Sequence, residues 1–313
     1  MNSKKAGVAF FLLTALYILM LVVLMVYSLM NPDAEGMGIV TNLIMSEMLI
    51  LIPVMTVVII GKRGEKLNDI LGFHKIKIST AWMTVLFTIL IMPLATFFNA
   101  ISMLFVENTV ASMTGDILDV PFFVMFLLMA VYGPFCEELA FRGAIYRGFR
   151  KSGNILGSIL LSALLFGLMH MNLNQAGYAV ALGIMMALLA EATGSTTASF
   201  LCHMIFNGQT VCLMFLEKKL YSPEMLEEIL NATSSREELL ASISMVMVVA
   251  IIGTSLAMCV LSWIAQNEGK ENFFRTIWAS RKMHKEKLCN FWTVSGIGVA
   301  AIFMIWSFMQ FGA

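Results

Sequence analysis

Few residues in this chain can do chemistry, because apolar sequence surrounds nearly all of them. The stretch 133–150, GPFCEELAFRGAIYRGFR, sets Glu137 and Glu138 side by side, with Arg142 four residues after the second. On a helix turning about 100° per residue, Glu138 and Arg142 are i,i+4 neighbours with the carboxylate N-terminal, the favourable order for an ion pair. Glu137 then points about 100° away and has no partner on its own segment. A carboxylate without a structural partner is the residue type that takes a proton from water. The spacing equally allows both glutamates to serve one structural network with Arg142 and a neighbouring helix.

Two later patterns add imidazoles. FGLMH places Phe166 and His170 on one helical face, and HMIFN does the same for His203 and Asn207. Of four histidines, His74 and His284 fall in basic loops, so only these two lie in apolar sequence. A lone histidine in a membrane helix is more often a packing residue held by one hydrogen bond. Three polar elements on successive apolar segments point elsewhere: intramembrane polar groups face inward together, and here they supply a base, water-holding imidazoles and donors for an oxyanion.

The elements that must position these groups are membrane spans. The 313 residues are 59% hydrophobic and 13% charged with a mean hydropathy of +0.85, which excludes a soluble domain. An all-α polytopic bundle with a buried, water-accessible cavity is expected, as one integral membrane domain over residues 1–313. With about 20 apolar residues per crossing, nine candidate spans occur, roughly at 7–30, 38–60, 81–105, 121–146, 154–172, 175–192, 195–216, 242–265 and 291–311. Basic residues cluster at 62–77, 147–151 and 270–287, while the other side holds Lys218, Lys219 and Arg236. The positive-inside rule then puts the N-terminus inside and the C-terminus outside. The first run is too long for a cleaved signal and is expected to be a retained anchor. Net charge is zero, and nucleic acid is not an expected partner. The five cysteines show no CxxC and no paired spacing.

The ordered set Glu137-Glu138 with Arg142, Phe166 with His170, and His203 with Asn207 resembles the CPBP family of CAAX proteases and bacteriocin-processing enzymes, also called Abi. The pattern is EExxxR, FxxxH and HxxxN, followed here over about residues 121–215, with FRG after the glutamates. The resemblance implies an intramembrane endopeptidase in which Glu137 activates a water and His170 helps to hold it. It implies that His203 and Asn207 stabilise the oxyanion, with Glu138, Arg142 and Phe166 in support. Zn²⁺ is also admissible, with Glu137, His170 and His203 as three ligands and one open position; if Glu137 is a ligand it is less available as a base. The implied partners are a peptide or protein substrate, membrane-anchored in some members, and the lipid bilayer. The implied location is a bacterial cytoplasmic membrane.

Other readings are weaker. There is no HExxH and no GxSG, and Cys136 and Cys202 diverge by about 100° from the adjacent Glu137 and His203. A non-catalytic bacteriocin-immunity or scaffold protein using the same cavity is the alternative, and a proton-coupled transporter is disfavoured by the lack of an internal repeat. Straight spans leave one difficulty: Glu137 near mid-bilayer, but His170 about 24 Å past the start of its span. A kink or interruption near Pro134 is therefore expected. Segment 61–80 is expected on the anionic leaflet, and 217–240 to form surface helices starting at Ser222-Pro223 with a capping box from Ser235 to Glu238. Glu47 and Glu191 are expected to pair with backbone or loop lysines.

Overall fold

The computed structural model describes residues 1–31, 36–62, 64–222, 224–226, 236–283 and 285–311. All regular structure among them is helical, as apolar runs require: in hydrocarbon each backbone N–H and C=O must find its partner within its own segment. Nine long helices follow in order, α1 Ser3–Met30, α2 Ile39–Gly61, α3 Ile78–Ser102, α4 Phe122–Arg150, α5 Ile155–Met169, α6 Leu173–Thr193, α7 Thr196–Leu220, α8 Arg236–Asn267 and α9 Phe291–Phe311. Eight of these are long and apolar enough to cross a membrane. The fifth, α5, has 15 residues, about 22 Å of helix, and falls short of a hydrocarbon core about 30 Å thick. Nine expected spans thus become eight and one short helix.

Side-chain caps mark several starts. Asn2, Asn154, Asn172 and Ser195 each accept a backbone N–H from two or three residues on, satisfying donors that have no intrahelical partner. The long helix α4 is embedded against α1, α2, α5, α6 and α7, and every residue from Leu139 to Tyr146 is buried. Around it, α8 lies along α3, α5 along α6, and α1 against α9 and α2. The outer faces keep residues such as Val23, Leu29, Trp82, Ile251 and Ile302 exposed, a distribution that suits hydrocarbon and not water.

Of the kink or interruption expected near Pro134, no interruption occurs, because α4 runs through. Two π-helical stretches, Phe126–Tyr132 and Leu139–Tyr146, flank the α-helical hexapeptide Gly133–Glu138. Proline's missing N–H and its clash with the preceding turn are absorbed where that turn is widened; the Gly133 N–H donates to the carbonyl of Leu128, five residues back.

Segment 67–77 is docked on the bundle. Ile70 and Leu71 are buried. Thr196 N–H donates to Gly72 O at 2.8 Å, Thr196 Oγ1 to Leu71 O at 2.6 Å and Ser195 Oγ to His74 O at 2.6 Å. The apolar side chains of ILGF therefore pack on protein, Phe73 with its ring 5.8 Å from that of Phe135. Pro223 and Ser235, on which the expected helix start and capping box rest, and His284 lie outside the described residues.

Gly72 holds this docking together. Its φ of 68° is left-handed, and a Cβ there would collide with the Arg147 guanidinium. Gly72→Ala is expected to cost at least about 1 kcal/mol, read as a lower thermal unfolding midpoint in detergent. An unchanged midpoint would show that the loop and Arg147 are not coupled.

Candidate active site

The polar groups singled out in the sequence meet where α4, α7 and the end of α5 face one another. Glu138 is fully buried, and its Oε1 accepts from Arg142 Nη1 at 2.7 Å, the i,i+4 contact that the spacing predicts. The same oxygen lies 3.0 Å from Nδ1 of His203 on α7. Arg142 spends its second terminal nitrogen on the carbonyl of Gly183 in α6 at 3.3 Å, and its guanidinium sits 4.2 Å from the Phe166 ring centroid. One ion pair thus ties α4 to α5, α6 and α7.

Glu137 is placed differently. Its side chain keeps 14% of its surface exposed, against none for Glu138, and its Oε2 has no hydrogen-bond partner. His203 Nε2 is 3.7 Å from that oxygen, so this imidazole directs one nitrogen at each glutamate. Phe166 stands between the histidines, edge-on to His170 at 5.1 Å and to His203 at 6.0 Å. His170 Nδ1 lies 2.9 Å from the carbonyl oxygen of Phe166. A carbonyl can only accept, so Nδ1 carries the hydrogen and the neutral ring presents an Nε2 lone pair. Asn207 Nδ2 donates to Met129 O at 3.0 Å, a carbonyl within the first π-helical stretch, which leaves its other N–H to spare.

The depth difficulty resolves through the short helix. Both α4 and α5 have an end at the basic face, where Ile155 N–H meets Ser280 Oγ at 2.9 Å. Glu137 is about 20 Å from Arg150 along α4, and α5 delivers His170 about 22 Å from its own start. His170 therefore occupies the turn between α5 and α6, followed by Met171 with φ of 54°. Asparagines hold that turn. Asn172 caps α6 and donates to His170 O at 3.0 Å, while the buried Asn174 donates to Asn99 Oδ1 and Ser102 Oγ, both at 2.9 Å.

The zinc option has no matching ligand set. Among the described residues no group of three or more His, Cys, Asp or Glu side chains is placed to hold a metal ion, so Glu137, His170 and His203 do not converge as ligands.

Two acidic residues have partners other than those expected. Glu191 takes a forked pair from Arg150, Nε and Nη2 each at 2.6 Å, plus the Tyr146 hydroxyl at 2.6 Å. Lys270 bonds the Glu191 backbone carbonyl rather than its carboxylate, and burial pushes the Lys270 ammonium below the usual lysine range while Glu191 opposes that shift. Glu47 meets no lysine: its carboxylate abuts Gly133 of α4 and lies within electrostatic reach of Glu137. The signal that could have promoted it is its place in the middle of an apolar span, where an ionisable group is a functional candidate by default.

Residues 119–209 match the family model for Rce1-like proteins, described as type II CAAX prenyl endopeptidase Rce1-like. That stretch contains every motif on which the sequence resemblance stood, and the resemblance is borne out there. The match, over 91 of the 313 residues, points to a protease of the CAAX-endopeptidase type, set among helices long and apolar enough to cross a membrane. No curated protein and no solved structure matches the chain.

Removing Arg142 leaves a fully buried carboxylate, and breaking a buried pair from one side costs about 3–5 kcal/mol. Arg142→Leu is therefore expected to lower the amount of folded protein recovered and its unfolding midpoint, whereas Glu137→Gln leaves both near wild type. Thermal unfolding of the two purified variants separates these outcomes, and equal losses would make Glu137 structural.

Proposed function

We propose that the protein is an intramembrane endopeptidase in which Glu137 activates a water for attack on a peptide carbonyl. The observation that carries this reading is the asymmetry between the adjacent glutamates. Each keeps an Oε2 without a hydrogen-bond partner, but Glu138 is sealed with its Oε1 held by Arg142 and His203, while Glu137 keeps 14% of its side chain exposed and has no ion-pair partner on its own helix.

In this mechanism the water donates one hydrogen bond to Glu137 and the other to His170 Nε2. As its oxygen bonds to the carbonyl carbon, one proton moves to Glu137 and the C=O electron pair moves onto the carbonyl oxygen. That oxyanion takes hydrogen bonds from the free Asn207 N–H and, with His203 protonated, from its Nε2–H. Preorganised donors of this kind supply much of the rate acceleration in acyl transfer. Glu138 holds the His203 ring through Nδ1. When the C–N bond breaks, Glu137 returns its proton to the leaving nitrogen and the carboxylate is restored.

The substrates in this reading are peptides or proteins anchored in or near the membrane, with the protease core over about 121–215 of a single integral membrane domain. The basic end, where the Arg150–Glu191 fork and the 62–77 segment lie, faces the cytoplasm of a bacterial cell by the positive-inside rule, with the N-terminus on that side.

The test is quantitative proteomics of peptide termini in membranes from cells with wild type, Glu137→Gln or no gene, at matched protein level. Termini present only with wild type are expected, and their rate of appearance is expected to fall by at least about 10²-fold in Glu137→Gln. Identical termini in both, with both rescuing a common phenotype, would replace the protease with a binding or immunity protein.

A further inference from the structure

Helix α2 lies outside the matched segment, yet it brings a carboxylate to the proposed base. Three buried oxygens around Gly133 have no protein hydrogen-bond partner: Glu47 Oε2, Tyr132 Oη and Glu137 Oε2. Glu137 is one helical turn beyond Gly133, and the Glu47 carboxylate is within electrostatic reach of both Tyr132 and Glu137. Gly133 makes the approach of α2 possible. A Cβ there would sit 3.3 Å from Glu47 Oε1 and 3.4 Å from the Leu128 carbonyl, a tight fit on both sides.

Buried oxygens without a partner are costly unless something polar joins them. The donor and acceptor inventory matches one water molecule: it can donate one hydrogen to each carboxylate and accept one from the Tyr132 hydroxyl. We propose that Glu47 is a positioning residue for Glu137, the two side chains and Tyr132 being joined by one buried water that fixes the Glu137 carboxylate toward the reacting water. This rests on Glu137 being the base.

The other ionisable groups around the pair are assigned to particular sides. Tyr17 of α1 and Cys136 face Glu47. His203, His170 and Tyr178 face Glu137 from α7, the α5–α6 turn and α6, and the Arg142 charge also reaches it. Glu47 is the carboxylate that α2 brings within electrostatic reach of Glu137.

The experiment follows the Glu137-dependent termini in isolated membranes, as initial rates across acidic to alkaline pH, for wild type, Glu47→Leu, Glu47→Gln, Tyr132→Phe and Gly133→Ala. Glu47→Leu is expected to slow cleavage by more than about tenfold at saturating substrate. Glu47→Gln, which keeps an acceptor for the water at nearly the same volume, is expected to retain more activity than Glu47→Leu. Gly133→Ala, which pushes Glu47 away without altering either carboxylate, is expected to slow cleavage at an unchanged amount of folded protein. If Glu47→Leu does not fold, Gly133→Ala and Tyr132→Phe carry the test. Wild-type rates in folded Glu47 or Gly133 variants, with Glu137→Gln inactive, would overturn the role of Glu47 alone. Cleavage retained in Glu137→Gln would overturn the base itself, and Glu47 with it.

Discussion

A fully buried carboxylate has to be neutralised by its neighbours, and Glu138 imposes that demand on the centre of this protein. Arg142 answers from the same helix, and its remaining hydrogen-bonding capacity goes to the Gly183 carbonyl and its planar face to Phe166. His203 answers from α7. Each of these groups then has its orientation fixed by a partner it cannot leave without stranding a charge in low dielectric. The neighbouring Glu137, Phe166 and His170 inherit a rigid frame from this arrangement. In such a frame a base can be held at one distance from its water without a direct hydrogen bond to another side chain.

Toward the basic end a second charged cluster does related work. The Arg150 fork on Glu191 and the Arg147 bond to Gly194 O at 2.6 Å join α4 to the end of α6. The 67–77 segment closes over this junction through Gly72 and the start of α7. Between the two clusters α4 is clamped twice. The hexapeptide bearing both glutamates therefore cannot rotate independently of α6 and α7.

Much of the site was legible in the sequence because its key relations are local. Glu138 to Arg142, Phe166 to His170 and His203 to Asn207 are all i,i+4 spacings, and helical periodicity shows them directly. Count and placement of spans followed from apolar run length, except that run length cannot tell that α5 stops after 15 residues and delivers His170 at its tip. What stayed hidden depends on which helix lies beside which. Glu47 to Gly133, Arg150 to Glu191 and Asn174 to Asn99 join residues far apart in the chain, and neither partner carries a local mark of the other. The split between Glu137 and Glu138 was anticipated from angle alone, whereas the capture of Glu138 by His203 required knowing that α7 packs on that face.

The two π-helical stretches of α4 have a bearing on how relatives of this chain should be compared. A π-helical turn holds an extra residue relative to an α-helical one, so residues before Phe126, within Gly133–Glu138 and after Tyr146 keep three different rotational registers on one continuous helix. A protein that lacked either widened turn would be one residue shorter there and still present its glutamates on the same face. Gaps of a single residue within 126–132 or 139–146 are thus structurally silent, while a gap of the same size inside 133–138 would rotate one glutamate into the other's environment.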